Sequence, residues 1–432
     1  MVLTKAMTGL LHEFDMTPTL PEMTHVFARI GVLSFGGPAA QIALMHRELV
    51  EERGWVSEKD YLSALSFCML LPGPEAMQLA TWTGWRMHGT KGGLIAGLLF
   101  VLPGAAVVLA LSMIYAAFGN LPLIAALFTG VQAAVVAIVI EALLRVSKRA
   151  LKGRIHWIIA GAAFLGLFAL NIPFPVIIIA AALFGAFTAK ATPVTAAPSV
   201  QQPAAGTLST LAIWGALWLI PLAALWMFEQ GLLFEIGFFF SKLAVVTFGG
   251  AYAVLAWMTQ AVVQDKGWLT LPQMMDGLGL AETTPGPLIL VTEFVGYLAA
   301  HKEGGILYGI AGAIVTLWMT FVPCFLWIFT FAPYIARITA APRLAGALAA
   351  ITAAVVGVIA NLSLWFAAHV IFKSVGYFEA GPLRMIAPDI TSLDPIALVI
   401  GLVAGWLLLL RHWSLPLVLL LSSLAAAAVA LI

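Results

Sequence analysis

Charge is scarce in this chain. Asp, Glu, Lys and Arg together make up 9% of 432 residues, and the formal net charge is +1. A soluble domain needs far more charge for its solvated surface, and a nucleic-acid-binding face needs a basic patch or tail, so both classes are excluded. Cysteine is nearly absent as well. Cys68 and Cys324 are the only two, each within an apolar segment, which rules out a disulfide scaffold and leaves buried free thiols as the expectation. Catalytic signatures are missing too. There is no His-Glu-x-x-His, no pair of aspartates in facing apolar segments and no haem, flavin or cluster motif, and His46, His88, His301 and His369 have no metal-ligand spacing. No cofactor, no metal and no enzymatic centre are expected.

What is abundant is apolar sequence. Hydrophobic residues make up 62% of the chain, and the mean hydropathy is +1.03. Uncharged stretches recur along the whole length, many near the roughly 20 residues that span about 30 Å of hydrocarbon. The fold class is therefore an all-α integral membrane protein, because lipid offers the backbone no hydrogen-bonding partner.

The chain is written twice. Phe35-Gly36-Gly37-Pro38, Glu52-Arg53-Gly54-Trp55 and Pro72-Gly73-Pro74 return 213 residues later as Phe248-Gly249-Gly250, Asp265-Lys266-Gly267-Trp268 and Pro285-Gly286-Pro287. The same register pairs Arg29 with Lys242 and Ser34 with Thr247, and an offset of 220 sets Ala133-Ala134-Val135-Val136 on Ala353-Ala354-Val355-Val356. A last hairpin aligns at 241, placing Pro416 on Pro175. The pattern predicts a first repeat over 1–190, a Pro/Ala/Thr/Gln-rich linker and one linking span over 191–233, and a second repeat over 234–432. Each repeat holds six segments, so about 13 transmembrane segments (6 + 1 + 6) are expected. The first two of each half, at 24–45 and 61–85 and at 238–263 and 272–300, are broken by Gly and Pro.

An odd linking span starts the second half on the opposite face of the membrane, whether the broken segments cross or re-enter. The halves are thus expected to be inverted, as in many secondary transporters. Counting positive charge gives the same orientation. A cytoplasmic N-terminus puts the cluster from Arg145 to Arg154, the Arg337 and Arg343 pair, and Arg411 inside, with the C-terminus outside.

Broken helices have a specific chemistry. Unwound backbone is tolerated in a membrane only where protein or a water-filled cavity surrounds it. A helix starting at the break presents free N–H groups and a positive dipole end, which suits a small anion. The candidate binding set is therefore Arg29, Ser34, Gly36, Gly37, Pro72, Gly73 and Gln78 with Lys242, Thr247, Gly249, Gly250, Pro285 and Gly286. Arg29 and Lys242 stand in apolar sequence six residues before the Phe-Gly-Gly triplets, where a cation by default suggests function. Snorkelling, or pairing with Glu48 or Glu75, is the structural alternative for Arg29. Glu75, Glu282 and Gln41 are candidates for coupling or gating, with a packed, hydrogen-bonded carboxyl as the alternative for each acid. Arg53 and Lys266 read as loop ion pairs beside Glu52 and Asp265.

The segments 35–42, 52–55, 71–74 with Gln78, and Gly92 through Pro103-Gly104, with their echoes in the second half, resemble the chromate ion transporters in their long two-domain form. The resemblance covers nearly the whole chain. It implies a bacterial inner-membrane secondary transporter that expels chromate, with sulfate as a structural analogue; a permease for sulfate or another oxyanion is the alternative. Its partners would be the anion and the lipid bilayer, and a homodimer is left open. One departure stands out. Gln41 occupies the place where the family usually shows a histidine, so a titratable group is missing there. The second copy also lacks a proline after Gly250.

Overall fold

Apolar runs become helices here because a hydrocarbon surround leaves each backbone N–H and C=O no partner outside its own segment. The computed structural model describes residues 17–119, 121–189, 204–248, 251–381 and 383–431. The linker expected at 191–206 falls largely on residues 190–203, and Gly249 and Gly250 fall between two described stretches, so these lie outside the described residues.

The first half opens with α1 (Leu20–Leu33), started by a capping box in which the Thr19 side chain accepts from the Glu22 N–H and Glu22 answers the Thr19 N–H. It ends at Ser34, and α2 (Gly37–His46) begins with Pro38 in its first turn and runs into a π-turn over Arg47–Glu51. After α3 (Glu58–Cys68) comes the Pro-Gly-Pro break, then α4 (Glu75–Phe118). The last is two helices in sequence, because His88 and Gly89 leave helical geometry. There follow α5 (Pro122–Ala150), the hairpin of α6 (Arg154–Phe168) and α7 (Phe174–Thr188), and α8 (Ala204–Met227).

The order then recurs: α9 (Gly231–Val246), α10 (Ala251–Gln260) with a π-turn over Ala261–Asp265, α11 (Leu271–Thr283), and α12 (Val291–Phe331), which departs from helical geometry at Gly305. The helix caps recur with it. Ser57 accepts from the Asp60 N–H at the head of α3, and Thr270 accepts from the Gln273 N–H at the head of α11. A short α13 (Ile335–Thr339), α14 (Pro342–Ile371), α15 (Pro395–Gly405) and α16 (Leu415–Ala430) complete the helices.

The two halves interlock. The α6–α7 hairpin of the first packs on α14 of the second, and α15 and α16 pack on α5. Small residues permit the close approach: a methyl group at Gly185 would overlap the carbonyl of Gly346, and the reverse holds as well. The kinked helices α4 and α12 pack together, with α1 laid on α4 and α9 on α12.

Two features add to the expected plan. The polar stretch after α14 holds strands: β1 (Val375–Ala380) and β2 (Leu383–Pro388) form an antiparallel hairpin with Tyr377 opposite Ile386 and Glu379 opposite Arg384. Val375, Tyr377, Phe378 and Ile386 favour extended backbone once the hydrocarbon no longer forces a helix, and Gly381, with φ of +61°, turns the chain. The apolar helices also fall into two lengths. Among the described residues, Glu75–Phe118, Pro122–Ala150, Gly206–Met227, Leu288–Thr339 and Pro342–Ile371 are long and apolar enough to cross a bilayer. The apolar helices Arg154–Phe168, Phe174–Thr188, Pro395–Leu410 and Leu415–Ala430 are shorter, about 23 Å at 1.5 Å per residue, which falls short of the hydrocarbon thickness.

Candidate functional site

The breaks of the two halves meet. The Gly73 N–H donates to the Thr247 carbonyl at 2.8 Å, and the Gly286 N–H donates to the Ser34 carbonyl at 2.9 Å. These bonds are equivalents of each other under the 213-residue register, so an orphan donor at each Pro-Gly-Pro is satisfied by the frayed helix end of the opposite half. The Ser34 and Thr247 hydroxyls behave alike, each donating 2.6 Å to a carbonyl one turn back, Ile30 and Leu243. Gly73 and Gly286 have φ of +125° and +90°, a region that favours glycine. A methyl at Gly73 would also strike the Cys324 sulfur and the Gln78 amide. Gly104 lies against Pro285 and Gly286 as Cys324 lies against Gly73, so Pro103-Gly104 and Pro323-Cys324, 220 residues apart, each close over the other half's break.

Two buried glutamines brace this crossing. Gln41 donates its amide to the Gly286 carbonyl at 2.6 Å and the Ser34 carbonyl at 3.2 Å. Gln78 donates to the Pro72 carbonyl at 2.7 Å. Both side-chain oxygens are buried without a hydrogen-bond partner in the described structure. The Gln78 amide, placed in the candidate binding set from sequence, thus braces its own unwound segment with this bond.

Beside the crossing opens a cavity of about 150 Å³, room for several waters. It is lined by Pro38 and Ala39 from the start of α2, Leu71 and Gly73 from the first Pro-Gly-Pro break, Glu75 at the head of α4, and Ala251 and Tyr252 at the head of α10. Arg145 and Arg149 from the last turns of α5 complete the wall, with Thr352 of α14. Arg145 is bonded to Glu141 at 2.5 Å, and an Arg149 Nη lies 2.7 Å from the Met69 sulfur. Two guanidinium groups and the positive ends of helices that start beside them make this wall suitable for an oxyanion. At the base of the cavity the Tyr252 hydroxyl donates to a Glu282 carboxylate oxygen at 2.6 Å.

The residues singled out from sequence separate into groups. Ser34, Pro72, Gly73, Gln78, Thr247, Gly286 and Gln41 share the crossing, with Pro285 against Gly104, and Gly36 and Gly37 form the left-handed entry to α2. Glu75 and Glu282 reach the cavity or its base. Arg29 and Lys242 stand elsewhere. Arg29 has 53% of its side chain exposed and lies 3.7 Å from Glu48, itself bound to Arg53 at 2.6 Å. Lys242 is exposed and lies 4.5 Å over the Phe238 ring. Both occupy the helix face opposite the packed one, since the buried residues of α1 and α9 fall on the other side of the turn. The Arg53 ion pair reaches Glu52 at 3.5 Å as expected, whereas Lys266 bonds Glu235 at 2.8 Å, not its neighbour Asp265.

Sequence reasoning missed Arg145 and Arg149 as site residues. Their signal is the densest basic cluster of the chain, which by sequence alone marks only orientation. It missed Asp276 as well, a buried carboxylate that accepts from Tyr115 at 2.7 Å and Gln132 at 2.9 Å across the two halves. Glu293 is buried inside α12 with one carboxylate oxygen unpartnered in the described structure. Both cysteines are free and buried, and no cluster of metal-ligating residues occurs among the described residues.

Comparison with known proteins points to one family. The family model described as Chromate transporter matches residues 21–186 and again 234–431. A chromate transport protein of Cupriavidus metallidurans is 32% identical over 79% of this chain and 81% of its own length. A probable chromate transport protein of Synechococcus elongatus is 32% identical over 79% of this chain and 83% of its own length. A chromate transport protein of Pseudomonas aeruginosa is 33% identical over 90% and 92%. No solved structure matches. With two matches of one family model and relatives aligned along most of their length, this multi-pass membrane protein belongs to the chromate transporter family.

Proposed function

We propose that this chain is a secondary transporter that exports chromate, a tetrahedral dianion, from the bacterial cytoplasm, and that it has no catalytic centre. The observation that carries the reading is the cavity where Arg145, Arg149 and the starts of α2 and α10 surround one space beside the crossed breaks. The names of the relatives supply the anion. Placement in the inner membrane with the N-terminus and the Arg145 cluster cytoplasmic makes this cavity the entry. The two arginines supply the charge that sequence reasoning sought in Arg29 and Lys242, and the glycines and prolines hold the crossing that shapes the space.

Inverted repeats are supported by the cavity walls. From the Arg149 end inward, α5 lines the space in descending residue order, while its equivalent α14 does so in ascending order. Equivalent helices therefore run opposite ways. A dianion leaving across an inside-negative membrane gains about 4.6 kcal/mol per 100 mV, twice the single-charge value, so export needs little coupling.

The test is anion uptake into everted membrane vesicles, which present the cytoplasmic face outward. Labelled chromate should accumulate on imposing the potential, with sulfate competing weakly. Sulfate transport that chromate fails to inhibit would replace this reading with that of a sulfate permease.

A further inference from the structure

The entry cavity does not end at Tyr252. Tyr252 also lines a second, smaller void of about 10 Å³, with Leu255, Leu278, Glu282, Leu362 and Ile138 among its walls. That volume holds barely one water. Leu362 in turn lines a third cavity, of about 70 Å³, bordered by Asn171, Gln260, Gln264, Asn361, Tyr377 and Arg384. The three spaces follow one another along the same two helices. Along α10 and the π-turn that continues it the lining passes from Tyr252 to Gln264, and on α14 from Thr352 to Trp365, about 18–20 Å at 1.5 Å per residue.

We infer that these three spaces are the translocation route for a small oxyanion, closed at its middle by the Tyr252–Glu282 hydrogen bond and opening at its far end onto an amide-lined vestibule whose cation is Arg384. The inference rests on the reading that the Arg145 cavity is the entry. Hydrogen bonding of Tyr252 to Glu282 holds the ring between the first and second voids. Beyond it stand four carboxamides: Gln260 donates to Asn171 at 3.4 Å and Gln264 to the Tyr377 hydroxyl at 3.3 Å, and the remaining N–H groups of the four can bind an anion without trapping it by charge. Arg384 is held in place rather than loose: its guanidinium lies 4.6 Å over the Tyr377 ring and 3.2 Å from Glu379. Its backbone N–H donates to the Ala169 carbonyl of the first half at 2.9 Å, so the β-hairpin is pinned over the vestibule it lines.

Site-directed thiol labelling tests the route without depending on which anion is carried. In a Cys68→Ala, Cys324→Ala background, single changes Ala39→Cys, Leu255→Cys and Asn361→Cys report the entry, the middle and the vestibule. A membrane-impermeant methanethiosulfonate should modify Ala39→Cys only in everted vesicles and Asn361→Cys only in intact spheroplasts, and should modify Leu255→Cys in neither. Adding Tyr252→Ala, or Tyr252→Phe should the smaller residue unfold the protein, should make Leu255→Cys reactive from the Ala39 side. Sulfate or chromate should protect Asn361→Cys, and Arg384→Gln should raise the anion concentration for half protection about tenfold while leaving labelling without anion unchanged. Labelling of Ala39→Cys and Asn361→Cys from the same side, or a Leu255→Cys that stays inert in both Tyr252 variants, overturns the route. Protection unaffected by Arg384→Gln overturns the vestibule's part in it. Correct sidedness with protection by sulfate but not chromate would keep the route and sink the chromate reading.

Discussion

The two halves carry the same breaks but do not finish alike. Where the first half has Arg145 and Arg149 at the end of α5, the second has Trp365 and His369 at the equivalent places on α14, 220 residues on. Those two rings lie with centroids 4.5 Å apart, and the imidazole Nδ1 is 2.9 Å from the Trp365 carbonyl oxygen. The link after α5 is three residues long, 151–153, whereas the link after α14 carries the β-hairpin. One end of the molecule thus presents an open, cationic cavity, and the other a smaller vestibule walled by aromatics and capped by strands. A duplicated backbone provides the crossing, while the residues that diverged between copies make its two ends unlike.

That contrast can be broken in descending order of effect. Replacing both Arg145 and Arg149 with alanine should lower chromate uptake into everted vesicles by about a hundredfold or more, since each charged hydrogen bond is worth roughly 1.5–3 kcal/mol. Uptake within twofold of the parent protein would remove the cations from the site. Gly73→Ala and Gly286→Ala should each cost about 1–3 kcal/mol of stability through backbone strain, read as an earlier thermal loss of the monodisperse peak in detergent. Gly73→Ala should be the worse, because its methyl also meets Cys324. A loss at one glycine with none at the other would break the equivalence of the two crossings.

Subtler effects sharpen the same comparison. Gln41→Leu should cost about 1–2 kcal/mol more than Gln78→Leu, because it strips a donor from carbonyls in both halves while Gln78 serves only its own. Parallel melts of the two variants decide it. The smallest effect is expected from Arg29→Ala and Lys242→Ala. Arg29 is half exposed and its partner Glu48 keeps Arg53, and exposed ion pairs are worth about 0–1 kcal/mol. Transport by either variant as poor as that of the Arg145, Arg149 double change would return these cations to the anion's path.

Much of this was legible in residue order. Local chemistry determines where helices stop: Gly73 and Gly286 adopt backbone angles that other residues resist, and Pro38, Ser57 and Thr270 mark helix starts by their own covalent and capping properties. Repetition of Phe-Gly-Gly and Pro-Gly-Pro at one offset is enough to predict two matched sets of broken helices, and scarcity of charge is enough to predict the membrane. Tertiary structure decided which breaks touch and which side chains face them. The bond from Gly73 to Thr247 joins residues of opposite halves, and nothing local encodes it. The face that Arg29 and Lys242 turn away depends on which side of α1 and α9 is packed, a property of neighbours. Arg145 and Arg149 likewise line one cavity only because the heads of α2 and α10 are folded beside them. An anion site needs several donors within a few ångströms of one another, and only the packing of the two halves brings them that close.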